Sequence, residues 1–381
     1  MPEAAVSDRG QGPELERTQD ISGFLVFCVM QVNDDILSLL REEGVQAARK
    51  SQRAVILQPG AIGDCILTLP LAAFMKDVLG LGGVDIFGHA EYVGLFPGRT
   101  CVDGISSIDS MELHRLFVEP NDFDLADRDP LISTFAGYSW ITTFMGEAHG
   151  NFEQNLIYTA NCSHSSEVIT LPMHPPKGFA GHLGDFYRQQ FVNESGFARA
   201  EHEGEPEDCL IRANPADGER GKEVLVEAGL DVPGKVVVIH PGSGGRRKCW
   251  HLDNFLAVAK GLISWGIDVL FLLGPAEVER FDRLAIKKIR GVCACLTSLS
   301  LTQVLGLLSC ADGFVGNDSG IAHLAGAMGI RTFVLFGPTD PSVYRPIGPT
   351  VTVLAGSRTT FSKKPSARNQ GKLLDLLSEL R

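Results

Sequence analysis

The chain is 381 residues long, 44% hydrophobic and 21% charged, a globular composition with length enough for two domains. Its formal net charge of −12 argues against a nucleic-acid partner, because phosphate contacts need a basic surface. Nine cysteines lack metal-type spacing, Cys293-x-Cys295 being the closest pair, and read as reduced, mostly buried thiols of a cytosolic protein.

Residues 1–20 are polar and carry Gly and Pro, so disorder is expected there. The apolar run 21–30 follows acidic residues and is too short to span a bilayer. It reads as a strand or helix packed on the first domain. Ile36, Leu39, Leu40 and Val45 have helical spacing and predict a peripheral helix over 33–50. Residues 1–52 are therefore an N-terminal extension, partly disordered.

A first α/β domain is expected over 53–199, with strands at 53–57, 84–87, 104–108, 140–144 and 167–171. Strands alternating with helices imply a parallel sheet. After the first strand comes Gln58-Pro59-Gly60-Ala61-Ile62-Gly63-Asp64, then a predicted helix over 65–79. Asp64 thus sits at a helix start on the carboxyl edge of the sheet. As a structural residue it is an acid favoured by the helix dipole. As a functional one it is a general base facing a cleft. Asp122-Phe123-Asp124 looks like an Asp-x-Asp metal motif, but with Asp127 and Asp129 beside it reads as a solvated acidic loop, and no metal is predicted. Gly146-Glu147-Ala148-His149-Gly150 follows the 140–144 strand and so points into the cleft, which makes Glu147 a binding candidate.

The acidic, Gly- and Pro-bearing stretch 200–208 reads as a linker. A second α/β domain follows over 209–355, with strands at 235–239, 268–273, 313–316, 332–336 and 350–354. Its helices are expected at 215–229, 252–265, 276–290, 301–310 and 319–328. The first of these strands runs into His240-Pro241-Gly242-Ser243-Gly244-Gly245. Glycines let a backbone approach a ligand, Ser243 brings a hydroxyl, and Lys248 brings a compact charge suited to phosphate. The Gly-Lys-Ser/Thr ending of a Walker loop is missing, as is a Gly-x-Gly-x-x-Gly, so a nicotinamide cofactor is weakly supported. Glu277, after Gly274-Pro275-Ala276 at a strand end, reads from the sequence as a helix-start acid. Asn317-Asp318-Ser319-Gly320 ends another strand where a helix must begin, which supplies free backbone N–H groups for a phosphate. Asp318 and Ser319 also suit helix capping, and His323 follows on the same first turn. Residues 356–381 form a basic tail with Arg358, Lys363, Lys364, Arg368 and Lys372, ending in a terminal helix.

Four segments together resemble family 9 glycosyltransferases, the group containing the lipopolysaccharide heptosyltransferases: GAIGDCILTLPLAAFMK (60–76), VVVIHPGSGGRRKCW (236–250), LLGPAE (272–277) and the block 313–346. Their order and spacing match as well. The resemblance implies an α/β fold of two Rossmann-like domains with a central cleft (GT-B type), the terminal helix crossing back to the first domain. It implies an inverting transferase with Asp64 as base. Ser243, Lys248, Glu277, Asp318, Ser319, Gly320 and His323 would hold the donor, and Gly63 and Glu147 would lie toward the acceptor. The implied partners are a nucleotide-sugar donor, ADP-heptose, and a glycan or glycolipid acceptor such as a lipopolysaccharide core. No cofactor or metal is implied. The place of work would be the cytoplasm, with peripheral contact at the inner membrane. The chain departs from the family at 146–150, where heptosyltransferases usually carry an Asp-Leu-Gln-Gly-like segment. A nucleotide-sugar epimerase of similar architecture and a non-catalytic nucleotide-sugar-binding protein are the other classes compatible with these residues.

Overall fold

A run such as Ala54-Val55-Ile56-Leu57, apolar at every position, suits a strand buried on both faces, as parallel sheets require. The computed structural model describes residues 51–196, 209–230 and 234–381, and Arg53–Gln58 is the central strand of its first sheet. That sheet holds β1 (Arg53–Gln58), β2 (Gly83–Gly88), β3 (Gly104–Ser107), β4 (Trp140–Thr143) and β5 (Glu167–Thr170), in the order β3-β2-β1-β4-β5. Its helices are α1 (Ile62–Leu67), α2 (Leu69–Val78), α3 (Ala90–Val93), α4 (Pro130–Phe135), α5 (Asn151–Asn161) and α6 (Leu183–Ser195).

The second sheet holds β6 (Val236–His240), β7 (Asp268–Leu273), β8 (Ala294–Thr297), β9 (Gly313–Asn317), β10 (Thr332–Phe336) and β11 (Val351–Ala355), in the order β11-β10-β9-β6-β7-β8. With it go α7 (Pro215–Glu227), α8 (Leu252–Ser264), α9 (Pro275–Arg280), α10 (Arg283–Arg290), α11 (Leu301–Ser309), α12 (Gly320–Ala327), α13 (Pro341–Tyr344) and α14 (Ala367–Leu377). Every strand pair is parallel, with Leu57 opposite Phe87 and Thr143, and Val238 opposite Leu270 and Phe314. In each sheet the strand order reverses beside its first strand, β1 against β4 and β6 against β9. Ligands of open α/β sheets bind in the crevice at that switch point. The turns carrying Asp64, Lys248 and Asp318 all leave the carboxyl ends of β1, β6 and β9.

One hydrophobic core runs from Ile56 and Phe186 through Ile62 and Leu324 to Val238. Polar contacts join the two sheets' layers as well. Arg99 grips the buried Asp217 through two bonds, Nε to Oδ2 at 2.7 Å and Nη2 to Oδ1 at 2.8 Å. His182 lies 2.8 Å from the carbonyl of Arg345 through Nε2. α7 crosses α11 so closely that a Cβ on Gly221 would come within 2.0 Å of the Gly306 oxygen.

Several expectations need correction. The 65–79 helix begins at Ile62 and breaks after Leu67, because Pro70 has no N–H to continue it and instead opens α2. The 276–290 helix is interrupted at Phe281, where Asp282 starts α10 by accepting from the Ala285 N–H at 2.7 Å. The edge strand β8 was not expected; its four residues are only half buried. The terminal helix does not cross to the first sheet. Leu373, Leu377 and Leu380 pack into the second core beside Val258 and Leu262, and Lys235 Nζ donates to the carbonyls of Leu380 and Arg381. Asp129 is no solvated loop residue: it is buried, caps α4 and pairs with Arg115 at 2.8 Å. Of the described cysteines, all free, Cys65 is buried, Cys162 is exposed and the rest lie between. The expectations for 1–20, 21–30, 33–50 and the 200–208 linker lie outside the described residues.

Candidate active site

Asp64 is held by its own helix start. It is the third residue of α1, and its Oδ2 accepts from the Ala61 N–H at 3.0 Å, a bond that closes the first turn. Gln58 fixes the turn before it, accepting from the Gly60 N–H at 2.9 Å and donating to Thr68 Oγ1 at 2.8 Å. Among the described residues nothing bonds to Asp64 Oδ1, which leaves that oxygen able to take a proton. Burial pushes the Asp64 carboxyl above its usual range. The Ala61 N–H and the charges of His174 and Lys248 oppose that push, while Asp318 adds to it. Asp64 is therefore within electrostatic reach of Lys248 and Asp318 across the junction of the two sheets. His174 carried no signal in the sequence, since it lies in a Pro-flanked stretch after β5 with no periodicity.

The opposite wall is built by Asn317, the last residue of β9. Its side chain donates to the Pro241 carbonyl at 2.8 Å and accepts from the Trp250 N–H at 2.9 Å, which fastens both ends of the glycine-rich turn to β9. Lys248 Nζ lies 2.8 Å from Asp318 Oδ2, and Thr339 donates to the same oxygen at 2.8 Å. Ser243 does not present a free hydroxyl; it donates to the Asp318 carbonyl at 2.6 Å and fixes the turn's shape. Ser319 caps α12, accepting from Ala322 N–H at 3.3 Å. Arg280, another residue that the sequence did not single out, binds the turn from behind, donating to the Ser243 carbonyl at 3.2 Å and to Cys249 Sγ at 2.9 Å.

The starts of α1 and α12 meet. A Cβ on Gly320 would lie 2.0 Å from Ile62 Cγ2, and one on Gly63 would lie 3.2 Å from His323 Cδ2. His323 is buried and its Nδ1 has no partner among the described residues. Burial lowers its pKa to about 4, so the ring is neutral at pH 7. Gly63 is thus at the interface of the two layers. Glu147 lies exposed in the turn after β4 with no side-chain partner among the described residues. Glu277 is buried; its Oε2 accepts from the Gly274 N–H at 2.9 Å, and its carboxylate presses on Gly242 so closely that a Cβ there would fall 2.1 Å from Glu277 Cδ.

Beside this junction lies a cavity of about 950 Å3, walled by Ala61, Ile62 and Tyr92 on one side and by His240, Glu277 and Leu301 on the other. It opens onto Ser319 and Gly320, so a molecule filling it reaches the start of α12. A helix start with free amides favours negative charge. Among the described residues no group of three or more His, Cys, Asp or Glu is placed to hold a metal ion. No helix among them is long and apolar enough to cross a membrane. The basic residues Arg358, Lys363, Lys364, Arg368 and Lys372 are all exposed.

The family model described as "Glycosyltransferase family 9 (heptosyltransferase)" matches residues 187–373, which takes in the second sheet and the later part of α6. Lipopolysaccharide heptosyltransferase 3 of Escherichia coli is 31% identical over 138 residues, 35% of this chain and 39% of that protein. Lipopolysaccharide heptosyltransferase 1 of Pseudomonas aeruginosa is 34% identical over 121 residues, 32% of this chain and 33% of that protein. The chain thus spans well under half the length of the curated relatives it matches. In fold the likeness is wider. The E. coli ADP-heptose heptosyltransferase II superposes with a TM-score of 0.63 over 86% of this chain and 99% of its own, at 15% identity. A family 9 transferase from Veillonella parvula gives 0.63 over 87% and 97%, again at 15% identity. The two parallel sheets with a cleft between them are the GT-B architecture of these neighbours.

Proposed function

Taking as premise a chain that is similar to the family 9 heptosyltransferases and shares their fold, we propose that it transfers a sugar from a nucleoside-diphosphate donor to a hydroxyl of a glycan or glycolipid. The observation that carries this reading is the placing of Asp64, with one carboxylate oxygen unpartnered, within reach of Lys248 and Asp318 at the mouths of both sheets. Asp64 takes the proton of the acceptor hydroxyl as its oxygen attacks the anomeric carbon. The bond from that carbon to the donor phosphate breaks, and the diphosphate leaves with the electron pair. Attack opposite the leaving group inverts the anomeric centre. Lys248 and the amides at the start of α12 receive the charge that grows on the diphosphate, a form of preorganised stabilisation. Ser243 and Arg280 hold the turn in place for it. Asp318 aims Lys248, and Glu277 faces the nucleoside. Gly63 and Glu147 lie toward the acceptor.

We assign 53–199 to the acceptor, 209–355 to the donor, and the segments 1–52, 200–208 and 356–381 to extension, linker and tail. The relatives' names favour ADP-heptose and a lipopolysaccharide-type acceptor. The exposed basic tail suits peripheral contact with the inner face of the membrane from the cytoplasm. A thermal-shift screen of ADP-, UDP-, GDP- and dTDP-sugars, followed by a transfer assay on lipopolysaccharide cores lacking heptose, tests the reading. Isomerised donor without acceptor would point to an epimerase instead.

Three results are expected. Lys248→Ala weakens nucleoside-diphosphate binding about tenfold or more, because a charge-assisted contact is lost; unchanged calorimetric affinity would remove Lys248 from the site. The acidic limb of the kcat/KM profile lies above the ordinary aspartate range, since burial raises Asp64. Lys248→Met moves that limb further up and Asp318→Asn moves it down, because one removes a charge that favours the carboxylate and the other a charge that opposes it. Extended dialysis against EDTA leaves transfer intact, as Lys248 and the α12 amides take the role a divalent ion would have; loss restored by a metal would contradict this.

A further inference from the structure

His240 ends β6 at the point where the second sheet's strand order reverses, and it is 5% exposed. Its Nδ1 lies 3.0 Å from the carbonyl oxygen of Leu272. A carbonyl only accepts, so Nδ1 carries the proton and Nε2 keeps its lone pair. Burial holds the ring neutral, outweighing the pull of the Glu277 carboxylate in the other direction. Nε2 has no partner among the described residues, yet it is not sealed in as His323 Nδ1 is, and His240 lines the interdomain cavity. Glu277 stands beside it on the same wall: Oε2 is taken by the Gly274 N–H, and Oε1 has no bonding partner among the described residues.

This end of the cavity therefore presents two fixed acceptors side by side. A buried carboxylate repels phosphate, so the anionic part of a ligand goes to the other end, at the start of α12. What complements two neighbouring acceptors is a pair of neighbouring O–H donors. We propose that His240, held as the Nδ1–H tautomer by the Leu272 carbonyl, is a further ribose-reading residue, whose Nε2 accepts from one hydroxyl of the nucleoside 2′,3′-diol beside Glu277, which the proposed function already turns toward the nucleoside. The inference rests on the reading of this cleft as a nucleotide-sugar site. A buried lone pair left without its donor is costly, so the pair selects ribonucleotides over deoxy analogues.

The test uses the full chain and calorimetric titration with ADP, GDP and UDP, each against its 2′,3′-dideoxy analogue. The preferred ribonucleotide is expected to bind about tenfold or more tightly than its dideoxy form. His240→Asn keeps a donor for Leu272 and removes the Nε2 acceptor, and it is expected to cut that ratio by several-fold. A wild-type ratio retained in His240→Asn overturns the proposal, as does equal wild-type affinity for both forms. Should the variant fail to fold, 15N-histidine labelling of the wild type decides. The unprotonated His240 Nε2 resonance must move when the ribonucleotide binds and stay put with the dideoxy form; a resonance blind to both overturns the proposal. If no nucleoside diphosphate binds at all, the proposed function falls together with this inference, an outcome distinct from binding without discrimination.

Discussion

Asp64→Asn is expected to cut sugar transfer by about 10²- to 10⁴-fold while leaving nucleoside-diphosphate affinity unchanged. The amide can still accept from the Ala61 N–H, so α1 keeps its start, but it cannot take a proton from an acceptor hydroxyl. The same change has a predicted sign on stability. Asp64 has a higher pKa folded than its usual 3.8, so between those two values the folded state holds more protons than the unfolded one. Stability contributed by this group is present below the unfolded value and is lost as pH rises through the folded one. At pH 7 the ionised carboxylate is a net burden, and Asp64→Asn melts at an equal or higher temperature than wild type. The difference fades as pH drops below about 3.8, where both states are protonated. Near wild-type transfer by the variant would remove Asp64 as the base. A lowered melting temperature at pH 7 would mean that the carboxylate is structural.

The second large effect is expected far from the chemistry. Asp217→Ala should destabilise the protein by about 3–5 kcal/mol, because it leaves the guanidinium of Arg99, 15% exposed, without its carboxylate. It also strips the Asn214 N–H of the acceptor that closes the first turn of α7, a bond of 2.9 Å. Replacing both partners, as Arg99→Met with Asp217→Leu, recovers a good part of the loss, since the one charge then left without Asp217 is that of Arg220, whose side chain reaches water. Urea unfolding measures both. A cost below about 1 kcal/mol for the single change would class the pair with ordinary surface bridges.

Much of this architecture was legible because parallel strands are continuous apolar runs. Ala54-Val55-Ile56-Leu57 and Val236-Val237-Val238-Ile239 leave little choice but a central strand. Ala294-Cys295-Leu296-Thr297 escaped notice because an edge strand is short and half buried, and its composition suits a loop as well. The helix breaks at Thr68 and Phe281 turn on single residues, Pro70 and Asp282, inside otherwise helical patterns. Turns at strand ends could be read for the residues they carry, which is why Asp64, Lys248 and Asp318 stood out. Their partners could not. That Ser243 gives its hydroxyl to the Asp318 carbonyl, or that Arg280 ties the turn from behind, depends on contacts between segments far apart in the chain. His240 was passed over for a related reason. A histidine at the end of a buried strand looks like core until the carbonyl opposite it fixes which nitrogen keeps its lone pair. The terminal helix was misplaced because its apolar face suits either layer, and only the small residue Gly261, against which Leu374 packs, makes room for it on the second.

The contact between Ile62 and Gly320 leaves no room for even one methyl group, and it ties the helix that holds Asp64 to the start of α12. It is therefore a natural fulcrum: any rocking of one layer on the other would pivot here, and displacement would grow with distance from Gly63 and Gly320. The spacing between the Asp64 carboxylate and the start of α12 would be the last to change.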